Sequence, residues 1–239
     1  MLNFNQNLYK EEHSFKEASL ELEKKNGDIL DSNKISGIEI RLSHVIVKDN
    51  KTPKVFPFPG LAKIYFMNLV VSDAENQNIA LDLKGFQKVD DGDALSIDKT
   101  LFYWKQEKKS KAPSQIHVMS TIIKSKQGLR DVAKIMENIK DDAEYKNLTE
   151  NLLGMLKDAS QITNISNLIL SVSSVVGKYL GKVEDKPLLT WYQSFTDING
   201  DWDLLGKTHK HAENKYAAMD LAITIRDKKR QQEADKEVV

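Results

Sequence analysis

The first half of the chain alternates between apolar and polar residues with the period of about two that is typical of β-strands. In residues 37–49, Ile38, Ile40 and Leu42 share one parity with His44, so this stretch is the clearest predicted strand. The same pattern predicts further strands at 62–72, 79–86, 99–106 and 115–124. Five predicted strands therefore precede the middle of the chain.

The apolar period changes to about 3.6 residues in the middle of the chain. Three consecutive apolar stripes predict about three α-helices within residues 127–182, and strand-like alternation returns at 188–196 and 219–225. Because strands stand on both sides of the helices, we predict a mainly β fold (α+β by content), an antiparallel β-sandwich with an inserted helical block. The predicted divisions are an N-terminal extension at 1–37, one sandwich domain at 38–227 and a charged tail at 228–239.

Composition and charge indicate which kinds of partner and which cellular compartment to expect. The chain of 239 residues carries 35 Lys and Arg against 35 Asp and Glu, so no overall field draws it to nucleic acid, and weak self-repulsion favours association. It contains no cysteine, and its first residues are polar rather than signal-like. We therefore expect a cytoplasmic protein, or one exported by a secretion system that reads no signal peptide.

An acidic segment, Asp-Ile-Asn-Gly-Asp-Trp-Asp at 197–203, resembles a calcium loop because Ca²⁺ prefers six to eight oxygen ligands around a tight turn. If the seven predicted strands alternate in direction, the loops at 72–78, 107–114 and 197–215 share one end of the sandwich. The residues predicted as calcium ligands at that end are Asp73, Asp197, Asn199, Asp201 and Asp203. The alternative is a plain turn in which Asp, Asn and Gly supply the backbone geometry.

Histidines offer a second candidate chemistry. His209 and His211 would share one face if they lay on a strand, and with Asp201 they could form the zinc site of a metal-dependent hydrolase. Solvated loop histidines are the simpler interpretation. His44, on the apolar parity of its strand, is predicted to be a core histidine. No nucleophile elbow, phosphate loop or His-Glu-x-x-His motif occurs, so we expect the protein not to be an enzyme.

The arrangement of strands resembles the C-two type of sandwich, the calcium- and lipid-binding family, in a divergent, bacterial-style variant. The residues that carry this architectural resemblance are the strand Ile38 to Val47, the strand Lys63 to Met67 and the closing strand Met219 to Ile225, with acidic loops after strands. The resemblance implies docking on a membrane or a protein, with calcium held by loop aspartates as the implied cofactor. It implies no catalysis.

Two apolar segments are candidates for partner binding. The loop Pro53 to Gly60 carries Phe56 and Phe58 between prolines, and the third predicted helix carries Leu168, Ile169 and Val172. The loop either docks on a partner or plugs the end of the sandwich, and we favour the plug. The helix either packs on a sheet or a neighbouring subunit, or inserts into lipid.

These observations predict a non-enzymatic binding or assembly module with a protein partner or a second copy of the chain as its ligand. A membrane could also bind at the acidic loops through calcium. The alternatives are a membrane-active, toxin-like effector whose helices leave the sandwich, and the metal-dependent hydrolase described above.

Overall fold

The fold is described from a computed structural model, which describes residues 4, 7–10, 34–57, 60–75, 78–107, 110–125, 131–156, 162–180, 186–230 and 232. The strands are β1 (Leu8–Lys10), β2 (Gly37–Val47), β3 (Ala62–Ser72), β4 (Ile79–Val89), β5 (Lys99–Lys105), β6 (Gln115–Ser125), β7 (Lys186–Thr196), β8 (Gly206–Glu213) and β9 (Ala217–Arg226). The helices are α1 (Val132–Asp141), α2 (Ala143–Met155) and α3 (Ile162–Leu180).

Two packed sheets form the sandwich, which confirms the predicted fold class. The five-stranded sheet has the order β1-β7-β6-β3-β4, and the four-stranded sheet has the order β5-β2-β9-β8. All neighbouring strands are antiparallel except β1, which pairs in parallel with β7. The helical block is inserted between β6 and β7.

The molecule has two apolar interfaces and therefore three layers. The first interface lies between the sheets and includes Ile40, Phe66 and Trp191. The second lies between the five-stranded sheet and the helices, and it includes Met67 and Met119 of the sheet together with apolar residues of α3 such as Val172. The outer face of the four-stranded sheet instead exposes side chains such as Lys207.

The predicted helices form where their apolar stripes can cover this sheet. Asp131 caps α1 by accepting a hydrogen bond from Ala133 N at 2.9 Å, and Asp142 caps α2 by accepting one from Tyr145 N at 2.9 Å. The Tyr179 hydroxyl donates to Asp142 at 2.5 Å and so ties α3 to the start of α2. The helices pack on the chain's own sheet, which leaves their apolar stripes covered.

Two strands were not predicted from the pattern. β8 occupies residues predicted as a loop, so His209 and His211 are strand residues rather than loop histidines. β1 lies inside the predicted N-terminal extension, and Phe4 is buried against the helical layer, so part of that extension belongs to the sandwich. The predicted charged tail is described only at residues 228–230 and 232.

The prediction for His44 is wrong. The pairing of β2 with β9 shifts its register between Leu42 and His44, which is a β-bulge, and the shift reverses the parity of the residues that follow. Val45 and Val47 consequently point into the core, while His44 is exposed.

Candidate functional site

The proline-rich loop between β2 and β3 is anchored by a single buried asparagine. The Asn50 amide nitrogen donates to the carbonyl oxygen of Gly60 at 3.0 Å and to that of Val89 at 2.9 Å, and its oxygen accepts from Thr52 N at 2.7 Å. One side chain thus joins both ends of the loop to the end of β4. The anchored geometry indicates that the loop holds one shape.

A second anchor lies nearer the tip of this loop. The Lys54 ammonium lies 2.9 Å from Asp90 and 3.0 Å from Asp91 in the β4–β5 loop. Hydrogen bonding to Lys54 lowers the pKa of Asp90, and hydrogen bonding to the Asn50 backbone, then to Lys54, lowers the pKa of Asp91. Gly60 adopts φ +72°, and a Cβ at this position would lie 3.0 Å from the carbonyl oxygen of Thr52. The loop therefore closes tightly on itself only with glycine there.

Between these anchors the chain presents apolar side chains to solvent. Phe56 is 97% exposed and Val55 is 62% exposed, so the predicted plug is wrong for both residues. The reason is that Asn50 and Lys54 hold the loop beside the end of the sandwich rather than inside it. Phe58, the other predicted docking aromatic, lies outside the described residues.

A tyrosine with two lysines borders this loop. The Lys51 ammonium lies 3.5 Å and the Lys215 ammonium 4.8 Å from the centre of the Tyr216 ring. Hydrogen bonding to Lys215, then to Lys51, lowers the pKa of the Tyr216 hydroxyl. The backbone nitrogens of Lys48 and Asp49 both donate to the Tyr216 carbonyl, at 2.7 and 3.1 Å, and fix the tyrosine against the start of the loop.

The acidic loops do meet at the opposite end of the sandwich, where Asp197 N donates to the Ser114 carbonyl at 2.9 Å. Asp73 accepts from Ser114 N and Gln115 N, both at 3.1 Å, and from the Ser114 hydroxyl. Asp201 accepts from Thr196 N at 2.7 Å. These two carboxylates therefore hold the turns around them, which is the role that the plain-turn alternative gives to such residues.

The remaining predicted ligands at this end are differently placed. Asp197 and Asn199 are exposed on either side of Ile198, which is 66% exposed, and the Asp203 carboxylate lies over Gly200. In the part of the chain that the structure describes, no group of three or more His, Asp and Glu is arranged to hold a metal ion. The calcium site stays a prediction that rests on the acidic loops alone.

The hydrolase residues are not brought together as a group of that kind either. His211 Nδ1 lies 2.5 Å from Asp220, and its Nε2 lies 3.5 Å from Glu213. Hydrogen bonding to Asp220 raises the pKa of His211. His211 and Glu213 are on β8, and Asp220 is on β9. All three lie on the open face of the four-stranded sheet, so His211 belongs to a surface ion-pair network.

The helical docking residues are covered by the molecule itself. Ile169 and Val172 are fully buried in the helix–sheet interface, and Leu168 is half-buried against it. They cannot contact a partner while the helices lie on the sheet. None of the described helices is long and apolar enough to cross a membrane.

A buried polar relay lies in that interface and was not found from the sequence. His117 Nδ1 lies 2.8 Å from the Tyr192 hydroxyl and its Nε2 lies 3.0 Å from Gln115 Oε1, while Gln115 Nε2 donates to the Leu156 carbonyl at 2.7 Å. Burial lowers the pKa of His117 to about 4. Gln115 and His117 lie on the same face of the strand predicted at 115–124, and polar residues in such positions are usually expected to face solvent.

Comparison with known proteins gives no family. No protein-family model and no curated protein matches the sequence. The structure of Drosophila C2-DSL-EGF1 is similar over 80% of this chain and 67% of the Drosophila chain, with 7% sequence identity and a TM-score of 0.30. A TM-score this low supports no conclusion about fold or function, so the resemblance to the C-two type stays an expectation.

Proposed function

We propose that the protein is a non-enzymatic docking module that binds a protein partner through the exposed side chains of Val55 and Phe56. The observation that carries this proposal is the 97% exposure of Phe56 on a loop anchored at both ends. Folding leaves this ring in water, and burying it against a partner supplies the transfer free energy that the fold itself does not gain from it.

The anchored loop is suited to binding because it loses little conformational entropy when it docks. Asn50 and Lys54 already fix the backbone, so a partner need only restrict the two apolar side chains. Aromatic anchors of this kind supply much of the binding energy of protein interfaces. Leu61, 39% exposed, lies at the far end of the same loop.

The distribution of apolar surface also favours this loop over other sites. Among the described residues, five large apolar side chains are exposed, and three of them lie on this loop. The edge strands carry charged residues that discourage pairing with another chain. These residues are Lys84 and Lys88 on β4, Lys99 and Lys105 on β5, and Lys207 and Lys210 on β8.

The proposal is tested by placing a photoreactive phenylalanine analogue at position 56 in cells of the source organism. We expect illumination to give one discrete crosslinked protein species from this position. Tyr103 is the matched control, because it is aromatic, 38% exposed and on β5 rather than on the loop. The analogue at position 103 should not give that species.

The identity of the partner follows from the mass of the crosslinked species, which distinguishes a second copy of the chain from another protein. Val55→Ala in the same background should weaken the crosslink at position 56 without changing thermal unfolding, since Val55 is exposed. Equal crosslinking at positions 56 and 103, or crosslinks to lipid alone, would contradict protein docking at this loop.

A further inference from the structure

The relay beneath the helices is compatible with one protonation state of its histidine. Because the Gln115 amide nitrogen donates to the Leu156 carbonyl, its oxygen can only accept, so His117 Nε2 carries the proton. His117 Nδ1 then accepts from the Tyr192 hydroxyl. The chain of donors runs from Tyr192 through His117 and Gln115 to Leu156, the residue that ends α2.

His117 has a distinctive position among the ionisable groups. Of the described residues that are fully buried, it is the one whose side chain gains a charge in mildly acidic solution. The interface between the two sheets contains no such group in the described chain. Acid therefore acts on the helix–sheet interface and leaves the interior of the sandwich without an added charge.

Among the described residues, no charged neighbour compensates a proton on His117. β3 places Val71 opposite it, β7 places Ser194 opposite it and Tyr192 at its ring, and α2 ends at Leu156. Tyr192 is the titratable group in this set, and burial raises its pKa, so it stays neutral in acid. Burial is the sole cause of the lowered pKa of His117.

We propose that protonation of His117 places a charge in this relay and releases the helical layer from the five-stranded sheet while the two sheets stay packed. The proton goes to Nδ1, which then donates instead of accepting. The Tyr192 oxygen becomes the acceptor of this bond, its O–H loses its acceptor on His117, and the new imidazolium is left buried without a counterion among the described residues. Release lets water solvate the charge.

The pH range follows from the two states of the histidine. Its pKa is about 4 with the helices in place and 6.5 when it is freely solvated, so the released state binds the proton more tightly. The stabilisation of the docked state is complete above about pH 6.5 and declines as the pH falls toward about 4. The fraction of released molecules is therefore expected to rise inside this interval.

Hydrogen exchange of the whole protein at pH 7.0, 5.5 and 4.5, corrected for the intrinsic rate at each pH, tests this proposal. We expect the amides of Leu152 in α2 and Val172 in α3 to lose protection at least tenfold on acidification. The amides of Ile40 in β2 and Ile223 in β9 should keep theirs. Equal loss in helices and sandwich would overturn the proposal, because it would show global acid unfolding.

Two substitutions separate the relay from general acid effects. His117→Gln keeps a neutral donor toward Gln115 at every pH, and the helical amides should then stay protected at pH 4.5. Tyr192→Phe removes the hydrogen bond that His117 Nδ1 accepts in the docked state, which weakens docking, and release should move to higher pH. His211→Gln, on the open sheet face, is the matched control and should follow the parent protein. Release of His117→Gln at the parent pH, or an unchanged midpoint in Tyr192→Phe, would each refute the role of the relay.

Discussion

Asn50 shows how one buried side chain can define a surface loop. Its amide makes three hydrogen bonds to backbone groups of Thr52, Gly60 and Val89. Asn50→Ala would leave two carbonyls and one N–H without this partner, so we expect the free energy of unfolding to fall by about 2–4 kcal/mol. Urea unfolding measured at neutral pH checks this value.

The control for this prediction is Asn138→Ala on the exposed face of α1, which should change stability by less than about 0.5 kcal/mol. Loop order adds a second readout, because Phe56 should become mobile in Asn50→Ala. If Asn50→Ala unfolds with the midpoint of the parent protein, the loop has another anchor and its fixed shape does not depend on this amide.

At the residue scale, the sequence shows where a strand lies more reliably than which face of the strand each residue occupies. The alternation of β2 placed His44 in the core, yet a bulge before it turns the ring to solvent. His117 drew no prediction from the sequence, although it is fully buried. Both outcomes arise because the face that a residue occupies depends on bulges and on later segments of the chain, which local pattern does not encode.

The β7–β8 loop illustrates the element scale, where carboxylates shape a turn. Asp201 accepts from Thr196 N, and Asp201 N donates back to the Thr196 carbonyl at 3.2 Å. Asp201→Asn replaces a charge-assisted bond by a neutral one, and we expect a loss of about 1 kcal/mol. Thermal unfolding in millimolar calcium and in chelator should show the same loss. A loss confined to calcium would show instead that this carboxylate binds the ion.

Elements with a strong local period could be predicted, and those defined by distant pairing could not. The bounds of β3 agree with its predicted range, and α3 lies within the predicted helical segment, because long apolar runs are visible in sequence. β8 has Ala212 as its buried apolar residue, so no alternation marks it. β1 is a strand of three residues that exists through its parallel pairing with β7.

The candidate docking site was found only in part for a related reason. The prolines and aromatics of the loop marked it as unusual, but exposure depends on Asn50 reaching Val89, a contact that joins residues far apart in the chain. The same holds for the relay, in which Gln115 reaches Leu156 at the end of a helix. Hydrogen bonds between residues far apart in the chain determine which side chains are exposed for binding. Such bonds cannot be predicted from composition or from local sequence pattern.

At the scale of the whole molecule, the two sheets end in four edge strands of the described chain, β1, β4, β5 and β8, which must not pair with other copies. The chain has no net charge to keep copies apart, so local charges on the edges take this role. On β8, Lys207 and Lys210 lie on a strand that pairs on one side with β9 and, among the described residues, has no partner strand on the other. Charged edges of this kind are consistent with the proposal that the exposed loop, rather than a sheet edge, binds a partner.

Removing the two edge lysines should therefore make the protein more prone to aggregate. In the double variant Lys207→Val and Lys210→Val, we expect light scattering to rise with time at concentrations where the parent protein stays clear, because an uncharged, β-branched edge can pair with another copy. The matched control is Lys134→Val with Lys146→Val on α1 and α2, which makes the same change in charge and composition on exposed helical positions. If both double variants aggregate alike, added apolar surface explains the effect and the edge does not. If neither aggregates, the pairing of β8 is prevented by its twist or shape rather than by its lysines.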